Sequence, residues 1–195
     1  MKVSNFLRMK VLRAATVSNA SPGAGSDSGS GDSEWEEQFV GMIEGDSSKP
    51  VTKIPDVVTK IGNNAFHARD NILFTSLPPS VTTIENLGFY DCESLVLTSL
   101  PSNLTSIGDR AFYNCGSLAL THFPESLRTI GVQAFQYCTS LTTLTFKRKP
   151  TTISNNAFGS CTNLLTINVP WAEGEVAGAP WGATNATINY NYTGG

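Results

Sequence analysis

Ile107-Gly108-Asp109-Arg110-Ala111-Phe112-Tyr113-Asn114-Cys115-Gly116-Ser117-Leu118 is the stretch from which the fold can be read. Phe112, Cys115 and Leu118 recur every third residue, the spacing of one face of a short helix or 3₁₀ turn. Asp109 stands where an N-cap would accept orphan backbone N–H groups, as do Asn63, Asn86 and Asn155 in equivalent stretches. Those stretches return at a fixed interval. Ile61, Ile84, Ile107, Ile130 and Ile153 are each 23 residues apart. The same step links Phe66, Phe89, Phe112, Phe135 and Phe158, and it links Cys92, Cys115, Cys138 and Cys161, with Arg69 in the first cysteine slot. Two further columns keep the interval: Ile72, Leu95, Leu118, Leu141, Leu164, and Ile54, Leu77, Leu100, Phe123, Phe146, Val169. Several apolar columns locked to one period without insertions are the signature of a stacked repeat.

Outward from the Phe–Cys stretch lies a short apolar segment such as Leu141-Thr142-Thr143-Leu144-Thr145-Phe146, whose β-branched content and length suit a strand. Proline follows at Pro55, Pro78, Pro101, Pro124 and Pro170 and ends it, because proline cannot donate to a ladder. Each copy therefore reads as one coil of strand, turn and short helix. The fold class expected is an α/β solenoid, a curved leucine-rich-repeat stack of five 23-residue coils. One coil cannot bury its own apolar face. Stacking coils about 4.8 Å apart closes a continuous core, with each Phe lying on the next.

Two strand patterns occur. Copies ending at Phe146 and Val169 read Leu-x-x-Leu/Ile-x-apolar. Those ending at Leu77, Leu100 and Phe123 put Thr75, Thr98 and Thr121 in the middle slot and carry Phe74, Leu97 and Leu120 one position earlier. A small bulge or a change of facing would account for the difference. Phe74, Leu97 and Leu120 then point either inward or outward, and outward they would form an exposed apolar patch of the kind that marks a partner site.

The chain has 195 residues, net charge −3, 40% apolar and 15% charged residues, and a pI of about 5.3. That balance gives no reason to expect nucleic acid or an anionic membrane as partner. No run approaches the roughly 18–20 apolar residues of a membrane span. Met1–Arg13 carries Lys2, Arg8, Lys10 and Arg13, and Arg13 interrupts Val11–Val17, leaving no adequate apolar region for a cleaved signal peptide. Ser18–Ser33 contains only Ser, Asn, Ala, Pro, Gly and Asp, the composition of a flexible linker. The expected division is an arm and linker over 1–34, the solenoid with a partial first coil over 35–171, and a capping segment over 172–195. Thr187–Tyr192 alternates as a final capping strand would.

These residues resemble the BspA-like, or Treponema pallidum-type, leucine-rich repeats of bacteria, with the pattern L-x-x-I-x-L/I-P-x-x-L-x-x-I-G-x-x-A-F-x-x-C-x-x-L. The match is close at Leu104–Leu118 and Leu127–Leu141 and less full at Pro150–Leu164. Departures are Arg69 for Cys, Glu85 and Ser154 for the Gly after Ile, and Lys147 for Pro. The resemblance implies a right-handed solenoid with a strand sheet on its concave side. It also implies a secreted, cell-surface or virion-associated protein that recognises a protein or glycan and is not an enzyme. The segment Val169–Thr184 is similar to the ends of repeat proteins from gut Firmicutes and their phages, which implies as an alternative a structural spacer or fibre component of a phage or prophage particle.

Under the family's register the outward strand residues, and so the candidate partner-binding set, are Phe74, Leu97, Leu120, Thr143 and Thr166 together with Ser76, Ser99, His122, Thr145 and Asn168. No catalytic, cofactor or metal site is expected. The four cysteines sit 23 residues apart, whereas zinc sites place ligands in pairs two to four residues apart; a buried apolar thiol ladder is the reading. Parallel side chains on neighbouring coils are poorly placed for disulfides. His67 and His122 occupy repeat slots held elsewhere by unrelated residues, which speaks against a catalytic triad. Lys147-Arg148-Lys149, the one basic run, reads as a solvated turn, with anion or glycan contact as the sharper account. The sequons at Asn19, Asn103, Asn185 and Asn191 carry little meaning in a bacterial protein.

Overall fold

The computed structural model describes residues 50–194. The expected arm and linker and the start of the partial first coil, where the apolar pattern sets in at Trp35 and Phe39, lie outside the described residues. Within them the strands are β1 (Lys60–Ile61), β2 (Thr83–Ile84), β3 (Ser106–Ile107), β4 (His122–Phe123), β5 (Thr129–Ile130), β6 (Thr143–Phe146), β7 (Thr152–Ile153), β8 (Thr166–Asn168) and β9 (Thr187–Asn189). They form two parallel sheets, one ordered β1-β2-β3-β5-β7 and the other β4-β6-β8-β9. Every partner in the first sheet is offset by one repeat, as in Ile84↔Ile107 and Ile107↔Ile130. The chain is a parallel-strand solenoid of about six turns.

The columns are the core. All five isoleucines and all five phenylalanines of the repeat are buried, as are the four cysteines and the two remaining apolar columns. The Phe rings stack with centroids 4.8, 5.2, 5.2 and 5.6 Å apart and planes within 15° of parallel. Ring-on-ring stacking adds roughly 0.5–1.5 kcal/mol per pair to the gain from burial.

The expected short helix is absent from the described residues. Between the isoleucine strand and Leu118 the chain runs through successive turns. Its N–H groups alternate: Ala65, His67 and Arg69 donate three residues back, while Asn64, Phe66 and Ala68 donate to Asn86, Gly88 and Tyr90 of the next coil. A helix would need every donor to bond within its own segment. Left-handed residues at Asn64 and Ala68, repeated at Leu87 and Asp91, Arg110 and Asn114, Gln133 and Tyr137, and Asn156 and Ser160, break the helical curl and aim alternate donors along the axis. The three-residue spacing of Phe, Cys and Leu survives because the turns still place those side chains inward.

The N-cap expectation is corrected in the same way. Asn86 Oδ1 accepts the Asp109 N–H at 2.8 Å and Asp109 Oδ1 accepts the Val132 N–H at 2.7 Å. These side chains tie one coil to the next and cap nothing of their own. Gly108 and Gly131 sit at the same close approach: a Cβ there would come within 2.6 Å of Asn86 N and Asp109 N respectively.

The two strand patterns are a change of facing. Leu95 and Leu97 point inward, Thr98 and Ser99 both point outward, and Leu100 returns to the core. In the later pattern Leu141 points inward, Thr142 and Thr143 outward, Leu144 inward, Thr145 outward and Phe146 inward. The outward pair has moved from the end of the segment to its middle. This explains why β4 pairs with β6 only over His122↔Thr145 and Phe123↔Phe146.

The C-terminal end is closed by Trp171 and Trp181, both buried, whose rings reach Phe146. Trp181 accepts the Phe158 N–H at 2.9 Å, replacing the carbonyl that a further coil would supply. Gly182 has φ +87° and a Cβ there would lie 2.8 Å from Asn156 Cα. β9 adds the last strand, where the alternation of Thr187–Tyr192 leads one to expect it.

Candidate recognition face

Strand alternation sends one set of side chains into the core and the other into solvent, and parallel pairing lines up the outward set across coils. On the β4-β6-β8-β9 sheet this gives two rows. Thr143, Thr166 and Thr187 are paired in register, as are His122, Thr145, Asn168 and Asn189. Asn168, at 7% exposure, is the one buried polar residue among those described. Its Nδ2 donates to Thr145 Oγ1 at 3.2 Å and its Oδ1 accepts from Asn189 Nδ2 at 2.8 Å. His122 Nδ1 meets the Thr121 hydroxyl at 2.9 Å. The row thus joins one hydroxyl and two amides, Thr145, Asn168 and Asn189, in a chain of bonds, with the His122 imidazole beside them held by its own neighbour.

Five of the ten sequence-derived candidates, Thr143, Thr145, Thr166, His122 and Asn168, come together on this sheet. Ser76 and Ser99 are exposed on the same side of earlier coils, beside Thr75 and Thr98. Phe74, Leu97 and Leu120 do not belong to the surface: their exposures are 7%, 0% and 2%, and Phe74 packs edge-on against Phe66 and Phe89. They are corrected from contact residues to core, because the shifted outward pair in those coils is Thr-Ser and the residue before it must face in. The apolar exposure on this side comes one column away, from Leu73 at 62%, Val96 at 43% and Leu165 at 60%.

Thr187 and Asn189 were missed. The signal was available, since Thr166-Ile167-Asn168 and Thr187-Ile188-Asn189 have the same strand pattern, but their separation of 21 falls outside the period. The repeat slot of His67, expected at the surface on the turn side, holds a ring stack that its spacing did not reveal: His67, Tyr90 and Tyr113 stack with centroids 4.9 and 4.8 Å apart. Tyr90 is covered on both faces by its neighbours, and His67 at the end of the row is exposed. Burial against those neighbours raises the Tyr113 phenol above its usual value, with Tyr137 and Tyr90 adding to it.

The remaining chemistry-bearing groups have structural partners. Each thiol donates to a carbonyl of the preceding coil: Cys92 to Phe66 at 2.8 Å, Cys115 to Phe89 at 3.1 Å, Cys138 to Phe112 and Cys161 to Phe135 at 3.0 Å. Desolvation pushes Cys92 and Cys161 up to about 12 and Cys115 and Cys138 well above the ordinary thiol value. Lys149 pairs with Glu175 at 2.6 Å, which lowers the Glu175 carboxyl, while Lys147 and Arg148 are exposed. Among the described residues no helix is long and apolar enough to cross a membrane.

Parallel coils, a stacked Phe column and a strand face define a leucine-rich-repeat solenoid. The profile of the BspA type leucine-rich-repeat region matches residues 53–175 in six copies, and the chain belongs to that family. Among solved structures it is similar to the leucine-rich-repeat protein of T. pallidum, with 28% identity, coverage of 80% of this chain and 74% of that one, and a TM-score of 0.63. A leucine-rich-repeat protein from Bacteroides ovatus shares the fold at 23% identity and a TM-score of 0.53, over 73% of this chain and 42% of that one. No curated protein matches the chain at a significant level.

Proposed function

We propose that the protein is a non-enzymatic recognition module that binds a protein or glycan at a bacterial cell or virion surface through the β4-β6-β8-β9 face. The observation that carries this reading is the register of the outward rows. His122, Thr145, Asn168 and Asn189 stand opposite one another on adjacent strands; Thr145, Asn168 and Asn189 are held by bonds within the row and His122 by the hydroxyl of its neighbour Thr121. A face held in this way loses little conformational entropy on binding. The surface location rests on the family resemblance.

The test is an array of purified glycans and extracellular proteins probed with the chain and with a His122→Ala/Thr145→Ala variant. Neither side chain contributes to the apolar core, so the variant should stay folded and lose at most about 1–3 kcal/mol with the Asn168–Thr145 bond, while its binding weakens. The reading fails when neither class of array gives binding, or when the variant binds as well as the parent.

The alternative, a structural spacer in a phage or prophage particle, draws support from backbone bonds that connect coil to coil through the described stack up to the Phe158–Trp181 closure. A stable trimer in light scattering, with no ligand on either array, would favour it.

A further inference from the structure

We infer that the ligand of this face is an uncharged polysaccharide lying along the solenoid axis, across the strands. The inference rests on the recognition reading and narrows it. Three features lead to it.

The first is residual bonding capacity. Asn168 is more than nine-tenths buried, yet its amide has two N–H groups and two acceptor lone pairs, and one of each is occupied by Thr145 and Asn189. The hydroxyls of Thr143, Thr166 and Thr187 have no partner among the described residues. A buried amide with capacity to give and to accept is stabilised by a ligand that offers hydroxyls to both.

The second is charge. Neither row contains a carboxylate, an ammonium or a guanidinium. The rows themselves give an anionic polymer or a charged peptide no counter-charge for the hydration it sheds, the exposed Lys147 and Arg148 lying just past the end of β6, whereas a neutral polyol exchanges hydrogen bonds like for like.

The third is the absence of anchors. Protein interfaces concentrate their energy in buried Trp, Tyr or Arg side chains seated in pockets. The two rows carry none of these, and the rings at Tyr90 and Tyr113 lie on another side, stacked on each other. What the face does carry is a hydroxyl repeated on three neighbouring strands, Thr143, Thr166 and Thr187, at the inter-strand interval of about 4.8 Å, beside a row of imidazole, hydroxyl and amide groups. Repetition of that kind suits a polymer of repeating hydroxylated units.

The experiment is native affinity electrophoresis of the chain through gels cast with β-glucan, xylan or mannan, with heparin as the anionic comparison. The expected result is retardation by at least one neutral polymer, insensitive to salt, and none by heparin. Thr143→Val/Thr166→Val/Thr187→Val should weaken retardation roughly tenfold or more, the equivalent of about 1.4 kcal/mol. The matching Thr→Ser triple, which keeps the hydroxyls, should restore it and guards against a folding defect in the valine variant.

Retention by heparin alone, no retention by any neutral polymer, or equal retention of the valine and parent chains would overturn the inference. Binding on the protein array that His122→Ala/Thr145→Ala abolishes, without retention by neutral glycan, overturns it and leaves the recognition reading standing. No ligand of either class removes both.

Discussion

Each thiol of the Cys92–Cys161 column is enclosed by the core and donates to a carbonyl of the preceding coil. Burial opposes the thiolate, so Cys92 and Cys161 rise from 9.0 to about 12. A group whose folded value is raised contributes its full stability below the unfolded value and loses it as pH climbs to the folded one. The denaturation midpoint should therefore decline as pH rises from 9.0 toward about 12, and by less in a Cys138→Val variant. At pH 8 all four thiols should react with a thiol reagent only as fast as the chain unfolds. Rapid reaction of the native protein would contradict the buried ladder. The same enclosure governs Phe112, stacked on Phe89 and Phe135 at 5.2 Å each. Phe112→Ala should reduce stability by about 3–5 kcal/mol in urea unfolding, and an unchanged midpoint would contradict the stack.

The turn ladder shows what a spacing rule can and cannot deliver. Phe, Cys and Leu at every third residue revealed which side chains face inward, and the structure agrees. Whether the backbone between them was helical depended on φ at positions such as Leu87, Arg110 and Gln133, residue types with no marked preference for the left-handed region. Their conformation is imposed by bonds to the neighbouring coil, a non-local cause that no window of sequence contains. The two-residue strands ending at Ile61 through Ile153 were hidden for a related reason, being too short to show alternation. On the strand side, the Phe74, Leu97 and Leu120 column was legible as a change of pattern, but its direction was not. Only packing on Phe66 and Phe89 decides it. Left-handed strain makes a prediction at this scale. Ala68 is exposed at φ 53° and offers a single methyl. Ala68→Gly should raise stability by about 0.5–1 kcal/mol, since relief of the left-handed penalty exceeds the entropy glycine adds to the unfolded chain. A fall in melting temperature would show the strain to be already relieved.

At the scale of the molecule, each coil is sheltered by the coils beside it, so stability is close to a sum of coil and interface contributions. The end coils depend on closure. Trp181 is 1% exposed, contacts Trp171 and Phe146, and accepts the Phe158 N–H. Trp181→Ala should cost about 3–5 kcal/mol. Hydrogen exchange should then accelerate first in β8 and β9, with the Phe89–Phe112 region protected longest. Uniform loss of protection would mean that the stack melts as one unit and not from its end.

The shift of the outward Thr pair divides the solenoid into two blocks whose coils are not interchangeable. Within a block, any coil fits beside any other, because inward and outward residues coincide. At the boundary Leu120, facing in, adjoins Thr143, facing out, and Thr121, facing out, adjoins Leu144, facing in, so strand pairing there is cut to two residues. Unequal crossing-over can therefore lengthen or shorten this gene by whole repeats inside either block at no loss of pairing, whereas a duplication carried over the boundary would add another junction of shortened pairing. Changes in array length should be confined to one side or the other, which makes the junction after Phe123 a fixed landmark in an otherwise elastic protein.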